Sequence, residues 1–201
     1  MKSSLKLKDA DMRDIVFSLY EDSSEKLRIF EEFCIGKTRT DALLVLENEL
    51  VGIEFKSDKD NLDRLERQIK DYNRFCDRNY IVIGKHFREK SEALYEILPD
   101  YWGIYSVTMD ENGTKNLELI REATLNKKCR LKNQLKILWR CELIHLVKSN
   151  KLGGVTAYNK KELSDKLFKN IEKDRLKQLI CDQLLERDYS IYNEKENGNE
   201  A

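Results

Sequence analysis

The sequence predicts an α/β protein in which a mixed β-sheet of about five strands is flanked by helices and followed by a C-terminal helical extension. Three observations indicate this fold class. Over residues 9–120, short segments rich in β-branched and aromatic residues alternate with segments of helical periodicity. From about residue 126 onward, only charged segments of helical periodicity follow. One proline and eight glycines in 201 residues are too few for an all-β fold with many turns.

The first two elements are predicted to be a helix and a strand. Residues 9–22 carry apolar side chains at helical spacing. Residues 27–36 are partly β-branched and aromatic and end at a glycine, which favours a strand, with a helix as the alternative. Residues 36–39 then indicate a turn.

A β-hairpin is predicted next. Residues 40–47 and 50–57 are rich in Val, Ile, Leu and Phe, and only two residues separate them. If those two residues form the whole loop, Glu47 pairs with Leu50. This register can be tested, because a slip of one residue would move every side chain of one strand to the other face.

The register decides which charged residues meet. Asp41 would lie opposite Lys56, and Glu54 would follow two residues before Lys56 on the same strand. Paired residues share a face of a sheet, as do residues two apart on one strand. Asp41, Glu54 and Lys56 are therefore predicted to project from one side.

Helices and strands alternate in the rest of the N-terminal region. Residues 60–76 have helical periodicity and residues 79–84 form an apolar strand, which is expected to run parallel to its neighbour because a helix connects them. A helix near 87–98 and a strand at 102–109 follow, and residues 117–120 would extend the sheet. Further helical periodicity is found at 127–149, 160–170 and 172–187.

Charge divides the chain in a way that its formal net charge of zero conceals. Residues 1–125 hold 20 Lys and Arg against 26 Asp and Glu, whereas residues 126–187 hold 16 against 7. We therefore predict a core at 1–125, a basic helical region at 126–188 and a disordered polar tail at 189–201. The basic region suits phosphate binding beside metal-binding carboxylates. Lysine-rich helix faces exposed to solvent, a dimer interface, or packing on the core remain alternatives.

Several classes of protein are excluded by composition. No apolar run approaches the roughly 18 residues that span a bilayer, and the N-terminus lacks the apolar stretch of a signal peptide. We therefore expect a soluble, cytoplasmic protein without a membrane partner. Five scattered cysteines without a C-x-x-C pair argue against a zinc site or a disulfide framework, and we interpret them as small buried apolar residues.

Three charged residues of the hairpin indicate chemistry. Asp41 is followed after twelve residues by Glu54, and Lys56 lies two residues further on. Glu54 stands in an otherwise apolar strand, where an unpaired charge is costly. A carboxylate pair holding Mg²⁺ or Mn²⁺ explains its position, because hard cations prefer oxygen ligands. Lys56 would then stabilise an attacking hydroxide or developing negative charge. The alternative is an Asp41–Lys56 ion pair, with Glu54 neutralised by another basic residue.

The same stretch resembles the PD-(D/E)XK nuclease superfamily, most closely its small bacterial and phage members, some of which are associated with DNA repair. The resemblance covers roughly residues 28–145 and is strongest over 39–84. In place of the frequent Pro-Asp of the first motif, this chain has Thr40-Asp41. The matching segments are Arg39-Thr40-Asp41, Gly52-Ile53-Glu54-Phe55-Lys56-Ser57-Asp58-Lys59-Asp60, Arg64-Leu65, Gln68-x₃-Tyr72, Tyr101-Trp102-Gly103 and Leu138-Trp139-Arg140-x-Glu142-Leu143.

The resemblance implies a restriction-endonuclease-like sheet and a role for each matching residue. Asp41 and Glu54 would bind the metal together with the backbone carbonyl of Phe55, and Lys56 would be the catalytic lysine. An upstream acidic residue would complete the site. That acidic ligand would be Glu32, with Glu31 as the alternative. Gln68 and Tyr72 would be catalytic residues that position phosphate or Lys56. Arg39 and Arg64 would be substrate-binding residues.

Ordinary structural roles are the alternatives for the residues other than Asp41, Glu54 and Lys56. Tyr72 could simply pack in the core, Gln68 could be a solvated helix position, and Arg39 could neutralise surplus carboxylates instead of binding phosphate.

Together, the motif and the resemblance predict a nuclease that depends on Mg²⁺ or Mn²⁺ and hydrolyses phosphodiester bonds. DNA is the favoured substrate, with RNA as the alternative. The alternative is an inactive nucleic-acid-binding or assembly module that keeps the fold. Such a module is expected to lose one of Asp41, Glu54 and Lys56, and the sequence keeps all three. A third hypothesis, an interaction protein of charged helices, leaves Glu54 unexplained. The resemblance also allows a homodimer and leaves endo- or exonuclease action, specificity and biological setting open.

Overall fold

The structure of the protein is a computed structural model, which describes Leu7 and residues 9–23, 26–89, 92–155 and 157–189. These residues form an open six-stranded mixed sheet with helices on both faces and further helices at the C-terminal end. The predicted α/β fold class is confirmed. The sixth strand contains residues 117–120, which were expected to extend the sheet.

The sheet keeps the order of the chain, from β1 at one edge to β6 at the other. The pairs β1–β2, β2–β3 and β5–β6 are antiparallel, and β3–β4 and β4–β5 are parallel, as expected for strands joined through helices. The strands are β1 (Arg28–Ile35), β2 (Thr38–Val45), β3 (Leu50–Lys56), β4 (Arg78–Ile83), β5 (Gly103–Met109) and β6 (Lys115–Arg121). The helices are α1 (Asp9–Ser23), α2 (Leu65–Phe75), α3 (Lys85–Glu89), α4 (Glu92–Ile97), α5 (Leu131–Gln134), α6 (Arg140–Ser149), α7 (Lys160–Asn170) and α8 (Lys173–Leu185).

Two apolar cores lie on the two faces of the sheet. On one face, Met12 and Val16 of α1 pack against strand residues such as Ala42 and Ile53. On the other face, α2 and the C-terminal helices share a larger core that includes Tyr72. Because α2 carries buried residues three and four apart, one side of this helix faces the strands that hold the predicted site.

The hairpin between β2 and β3 differs from the predicted register. Its loop has four residues, 46–49, closed by the Leu46 N–H, which donates to the carbonyl of Glu49 at 2.9 Å. Val45, not Glu47, pairs with Leu50. The predicted register is therefore wrong by two residues. A shift by an even number keeps each side chain on its face, so the prediction that the charged residues share a face was not affected.

Two predicted helices are shortened by local hydrogen bonds. Residues 60–64 lie outside α2, because the Asp60 carboxylate accepts hydrogen bonds from the Ser57 N–H at 2.8 Å and the Ser57 hydroxyl at 2.6 Å, forming a turn. The segment 127–149 is broken into α5, a 3₁₀ turn at Leu135–Ile137 and α6. There the Trp139 N–H donates to the Glu142 carboxylate at 2.6 Å and starts α6 as a separate helix.

The cysteines fit their interpretation only in part. All five lie in the described part of the chain and are free, as expected. Cys76 and Cys181 are buried, but Cys34 and Cys141 are exposed, so those two are not core residues. Within the described ranges, no helix is both long enough and apolar enough to cross a bilayer.

Candidate functional site

A buried ion pair occupies the carboxyl end of β3. Glu54 is 1% exposed and Lys56 is 6% exposed, although both carry charge. The ammonium nitrogen of Lys56 lies 2.6 Å from Oε1 of Glu54. Burying two charges costs several kcal/mol of desolvation each, which their attraction offsets only when further hydrogen bonds satisfy the remaining atoms. Those further bonds come from α2.

Two side chains of α2 complete the surroundings of Glu54. The amide nitrogen of Gln68 donates to Oε1 of Glu54 at 2.6 Å, and Oε1 of Gln68 accepts from Lys56 at 3.3 Å. One turn further along α2, the hydroxyl of Tyr72 lies 2.9 Å from Oε2 of Glu54. Burial raises the pKa of Tyr72 well above its usual value, so this hydroxyl stays a neutral donor. Gln68 and Tyr72 thus contact the acidic residue, and Tyr72 also packs in the core.

Asp41 lies where β2 and β3 part. Their last pair is Ala42 with Ile53, and the Asp41 carboxylate then accepts the Phe55 N–H at 2.7 Å. The N–H of Asp41 donates to the Tyr72 hydroxyl at 3.1 Å. Because the N–H and C=O of one strand residue point to the same side, the carbonyl of Phe55 also faces the gap beside Asp41. The sequence analysis placed Asp41 opposite Lys56, whereas the observed register, extended by one residue beyond the Ala42–Ile53 pair, places Asp41 opposite Glu54.

The charge of Asp41 is poorly compensated. Burial, followed by the negative charge of Glu54, raises the pKa of Asp41 from 3.8 to about 7, although the Phe55 hydrogen bond, Arg13 and Lys56 oppose the shift. Glu54 has Lys56 beside it, whereas the cation nearest to Asp41 is Arg13 at 4.0 Å, which three other carboxylates also bind. This donor set, which is rich in oxygen and deficient in positive charge, fits a hard divalent cation.

Glu32 stands beside Asp41 in the first two strands. Pairing between β1 and β2 is interrupted at this position, with the same register on either side. Glu32 has φ = 53°, a left-handed backbone conformation that non-glycine residues rarely adopt and that is enriched at functional sites. Its carboxylate binds Arg39 at 2.7 Å and Arg13 at 3.3 Å. Arg39, whose side chain is 67% exposed, thus neutralises a carboxylate, one of the two roles considered for it.

Arg13 of α1 was missed by the sequence analysis. Its guanidinium donates to the backbone carbonyl of Asp41 at 2.8 Å and lies 4.0 Å from the Asp41 carboxylate. It also binds Asp9 at 2.7 Å and Glu31 at 3.1 Å. The only signal in the sequence was the i,i+4 spacing of Asp9 and Arg13, which indicates an ordinary helix pair.

Glu32, the predicted third acidic ligand, lies next to Asp41 but forms no metal-binding group with Asp41 and Glu54. Within the described ranges, no three His, Cys, Asp or Glu side chains form a group that could hold a metal ion. Glu31 and Glu32 both bind Arg13 instead. Arg64 is exposed just before α2. The structure therefore brings Asp41, Glu54, Phe55, Lys56, Gln68 and Tyr72 together, and leaves Arg39, Arg64, Glu31 and Glu32 around them.

Gly52 allows α2 to approach the site, and we expect Gly52→Ala to disrupt it. An added Cβ would lie 2.5 Å from the Tyr72 ring and 2.9 Å from the sulfur of Cys76. Overpacking of this kind costs about 1–3 kcal/mol of unfolding free energy. It would also move the Tyr72 hydroxyl away from Glu54. Thermal unfolding monitored by circular dichroism measures the loss.

Gly154→Ala is the matched control for that substitution, because nothing lies within 4 Å of an added Cβ there. Equal melting temperatures for Gly52→Ala and the unsubstituted protein would contradict the close packing of Tyr72 on β3.

Comparison with known proteins gives one family. The model of the family described as Bacteriophage P4 protein cII matches residues 12–197. A search of curated proteins found no match. Among solved structures, the chain is similar to SPO1766, a protein of unknown function from Silicibacter pomeroyi, with 17% identity, a TM-score of 0.46 and coverage of 77% of this chain and 100% of that one. It is also similar to Pyrococcus furiosus SfsA, solved in complex with Ca²⁺, with 20% identity, a TM-score of 0.33 and coverage of 57% and 61%.

Proposed function

The chain belongs to the bacteriophage P4 protein cII family, and we propose that it is a divalent-metal-dependent nuclease that hydrolyses phosphodiester bonds in DNA. The observation that carries this proposal is the buried Glu54–Lys56 pair beside the half-buried carboxylate of Asp41. A chain that needed only stability would gain little from this arrangement, because well-packed apolar residues commonly replace a buried ion pair without loss.

The acidic residues would hold the cation. Asp41 and Glu54 supply carboxylate oxygens, and the carbonyl of Phe55 faces the same gap between β2 and β3. A bound Mg²⁺ or Mn²⁺ supplies two things to this chemistry: it polarises a phosphoryl oxygen and lowers the pKa of a water molecule. Burial and the charge of Glu54 raise the pKa of Asp41, and a cation bound there would favour the ionised form.

The neighbouring side chains would act on the substrate. Lys56 carries a positive charge at the edge of the acidic pair, where it would stabilise negative charge that develops on the phosphoryl group. Gln68 contacts both Lys56 and Glu54, and would fix the direction in which the ammonium points. Tyr72 holds Glu54 and the backbone of Asp41 with one hydroxyl, so it is a positioning residue.

The motif supports the same function. The spacing of Asp41, Glu54 and Lys56, followed by Gln68 and Tyr72 on the next helix, is similar to that of PD-(D/E)XK nucleases. The contacts of all five residues with one another, or with the backbone next to them, agree with a single site.

The direct test is a cleavage assay with the full chain. Plasmid, linear duplex DNA, single-stranded DNA and RNA are incubated with Mg²⁺, with Mn²⁺ or with EDTA, and the products are separated on denaturing gels. We expect cleavage of DNA with either metal and none with EDTA. Tight binding of DNA without cleavage under every metal condition would instead support an inactive nucleic-acid-binding module.

The affinity for a divalent cation should increase with pH through neutrality. A proton and a cation compete for Asp41, whose pKa is about 7 in the metal-free protein. Between pH 6 and pH 8 the ionised fraction of such a group rises about tenfold, so the Mn²⁺ association constant should rise by about the same factor. Isothermal titration calorimetry at both pH values measures it. An association constant that is the same at pH 6 and pH 8 would refute a role for Asp41 in the binding.

A further inference from the structure

A second charged surface lies away from the acidic site, in a cleft between α5, the 3₁₀ turn that follows it, and α7. The cleft has a volume of about 610 Å³. Four ammonium groups and one carboxylate line it, so its net charge is strongly positive. The lining residues are Lys132, Lys136, Lys160, Lys161, Ser164 and Asp165.

The positive charge of this lysine cleft is little neutralised. The pair between Lys132 and Asp165, at 3.7 Å, joins side chains that are 56% and 42% exposed, and such surface pairs contribute little. The ammonium of Lys136 donates to the side-chain oxygen of Asn133 at 3.0 Å, and that of Lys160 donates to the carbonyl of Lys136 at 2.8 Å. Both acceptors are neutral, so neither contact cancels a charge.

The basic surface extends beyond the cleft. The ammonium groups of Lys132, in the cleft, and of Lys173, at the start of α8, lie 4.7 Å and 3.4 Å from the centre of the Phe168 ring. The positive surface therefore continues from the cleft onto α8.

The lysine cleft lies on the same face of the sheet as the acidic site. The side-chain amide of Asn133 in α5 donates to the carbonyl of Arg74, at the C-terminal end of α2. On the same helix, Tyr72 lies about half a turn and Gln68 a little under two turns before Arg74, and each turn is about 5 Å long. A single extended polyanion could therefore contact both surfaces.

We propose that the lysine cleft binds the sugar–phosphate backbone of DNA and so holds the substrate outside the catalytic centre. The identity of the polyanion rests on the proposed function. Lysine ammonium groups are point charges that bind phosphates without reading bases, so the contribution is independent of sequence and sensitive to salt. The acidic site needs this help, because its own carboxylates repel a phosphate backbone.

The test compares two double variants with equal change in charge. Lys132→Gln with Lys161→Gln removes two charges from the cleft. Lys26→Gln with Lys85→Gln removes two charges from exposed residues outside it, each paired with a glutamate, Glu47 at 3.3 Å and Glu89 at 3.7 Å. Fluorescence anisotropy with a labelled duplex of about 20 base pairs, in EDTA so that nothing is cut, gives the affinity over roughly 50–200 mM salt.

We expect the cleft variant to bind about tenfold more weakly at low salt, and its slope of log affinity against log salt to become shallower by roughly 0.9 for each lost phosphate contact. The control variant should stay within about twofold of the unsubstituted protein. Equal losses in both variants, or no loss in the cleft variant, would overturn the proposal. The proposal would also be overturned if the cleft variant bound DNA normally but lost binding to anionic phospholipid vesicles, or lost self-association measured by light scattering.

Failure of the nuclease proposal would be seen separately. Hydrolysis of bis(p-nitrophenyl) phosphate, which is too small to reach the cleft, reports the acidic site alone and should be unchanged in the cleft variant. If the protein hydrolyses neither this compound nor DNA, and the cleft variant but not the control variant loses DNA affinity, the nuclease proposal is refuted and the proposal for the lysine cleft is supported.

Discussion

Asp41→Asn is expected to abolish metal-dependent DNA cleavage and, at the same time, to stabilise the metal-free protein. The asparagine amide keeps the size of the side chain and an oxygen that can accept the Phe55 N–H, which lies 2.7 Å from the carboxylate. It cannot supply the negative charge that holds a divalent cation. Loss of one such electrostatic contribution typically lowers the rate by a factor of about 10²–10³ or more.

The gain in stability follows from the raised pKa of Asp41. An acid whose pKa is about 7 in the folded state and about 3.9 in the unfolded state binds its proton more tightly when folded. Its contribution to stability is present at low pH and is lost as the pH rises through 7. Asparagine does not ionise. Asp41→Asn should therefore gain about 1–3 kcal/mol of unfolding free energy at pH 8 and roughly a third as much at pH 5.

Urea unfolding at the two pH values and a plasmid cleavage assay measure the two effects. Asp63→Asn is the control, because Asp63 is an exposed carboxylate just before α2. Lys56→Met should also abolish cleavage, but unlike Asp41→Asn it should destabilise the protein, because Glu54 keeps a buried charge without its ammonium partner. Lys59→Met is its exposed control. If Asp41→Asn cuts DNA normally, Asp41 is not a metal ligand of a nuclease.

Arg187→Met should have the largest effect on stability. Arg187 follows the C-terminal end of α8, and its guanidinium is almost fully buried. It donates to both carboxylate oxygens of Glu142 in α6, at 2.7 Å and 2.8 Å. It also donates to the carbonyl of Ile137 at 3.1 Å and lies 4.2 Å from the centre of the Trp139 ring. Removing one partner leaves a buried charge uncompensated, which costs about 3–5 kcal/mol.

A double-mutant cycle tests this explanation. Glu142→Met removes the other partner, and the double variant should recover much of the loss because no unpaired charge remains. Arg175→Met is the control, since Arg175 lies on α8, the helix that precedes Arg187, and is exposed. Strictly additive losses in the double variant, measured by urea unfolding, would show that packing and not charge explains the effect.

The hairpin shows how far periodicity alone reaches. Alternation along β2 and β3 assigned Asp41, Glu54 and Lys56 to one face, and the structure brings the three together although the register shifted by two residues. Within each strand, side chains alternate between the two faces of the sheet, so a shift of the pairing by two residues leaves every side chain on its face. The pairing between residues of the two strands depends on the length of the loop, and the loop length was known only from the tertiary structure.

Contacts between distant segments could not be predicted. Arg13 reaches Asp41 from a helix 28 residues earlier in the chain, and its partners Glu31 and Glu32 belong to a third element. The left-handed conformation of Glu32 also has no sequence signature, because glycine or asparagine is the usual signal for positive φ. These features depend on how α1 packs across the sheet, which is a property of the whole fold.

The sequence by itself determined the α/β class, the nature of most elements, the parallel crossover from β3 to β4, and the three charged residues at the hairpin with Gln68 and Tyr72 on the following helix. Each of these follows from local periodicity or spacing, which side-chain geometry imposes within one or two elements. Tertiary structure decided the hairpin register, the break between α5 and α6, the carboxylate partners of Arg13, and the gathering of four lysines from α5, the 3₁₀ turn and α7 into one cleft. These depend on long-range packing, to which each segment contributes only a part.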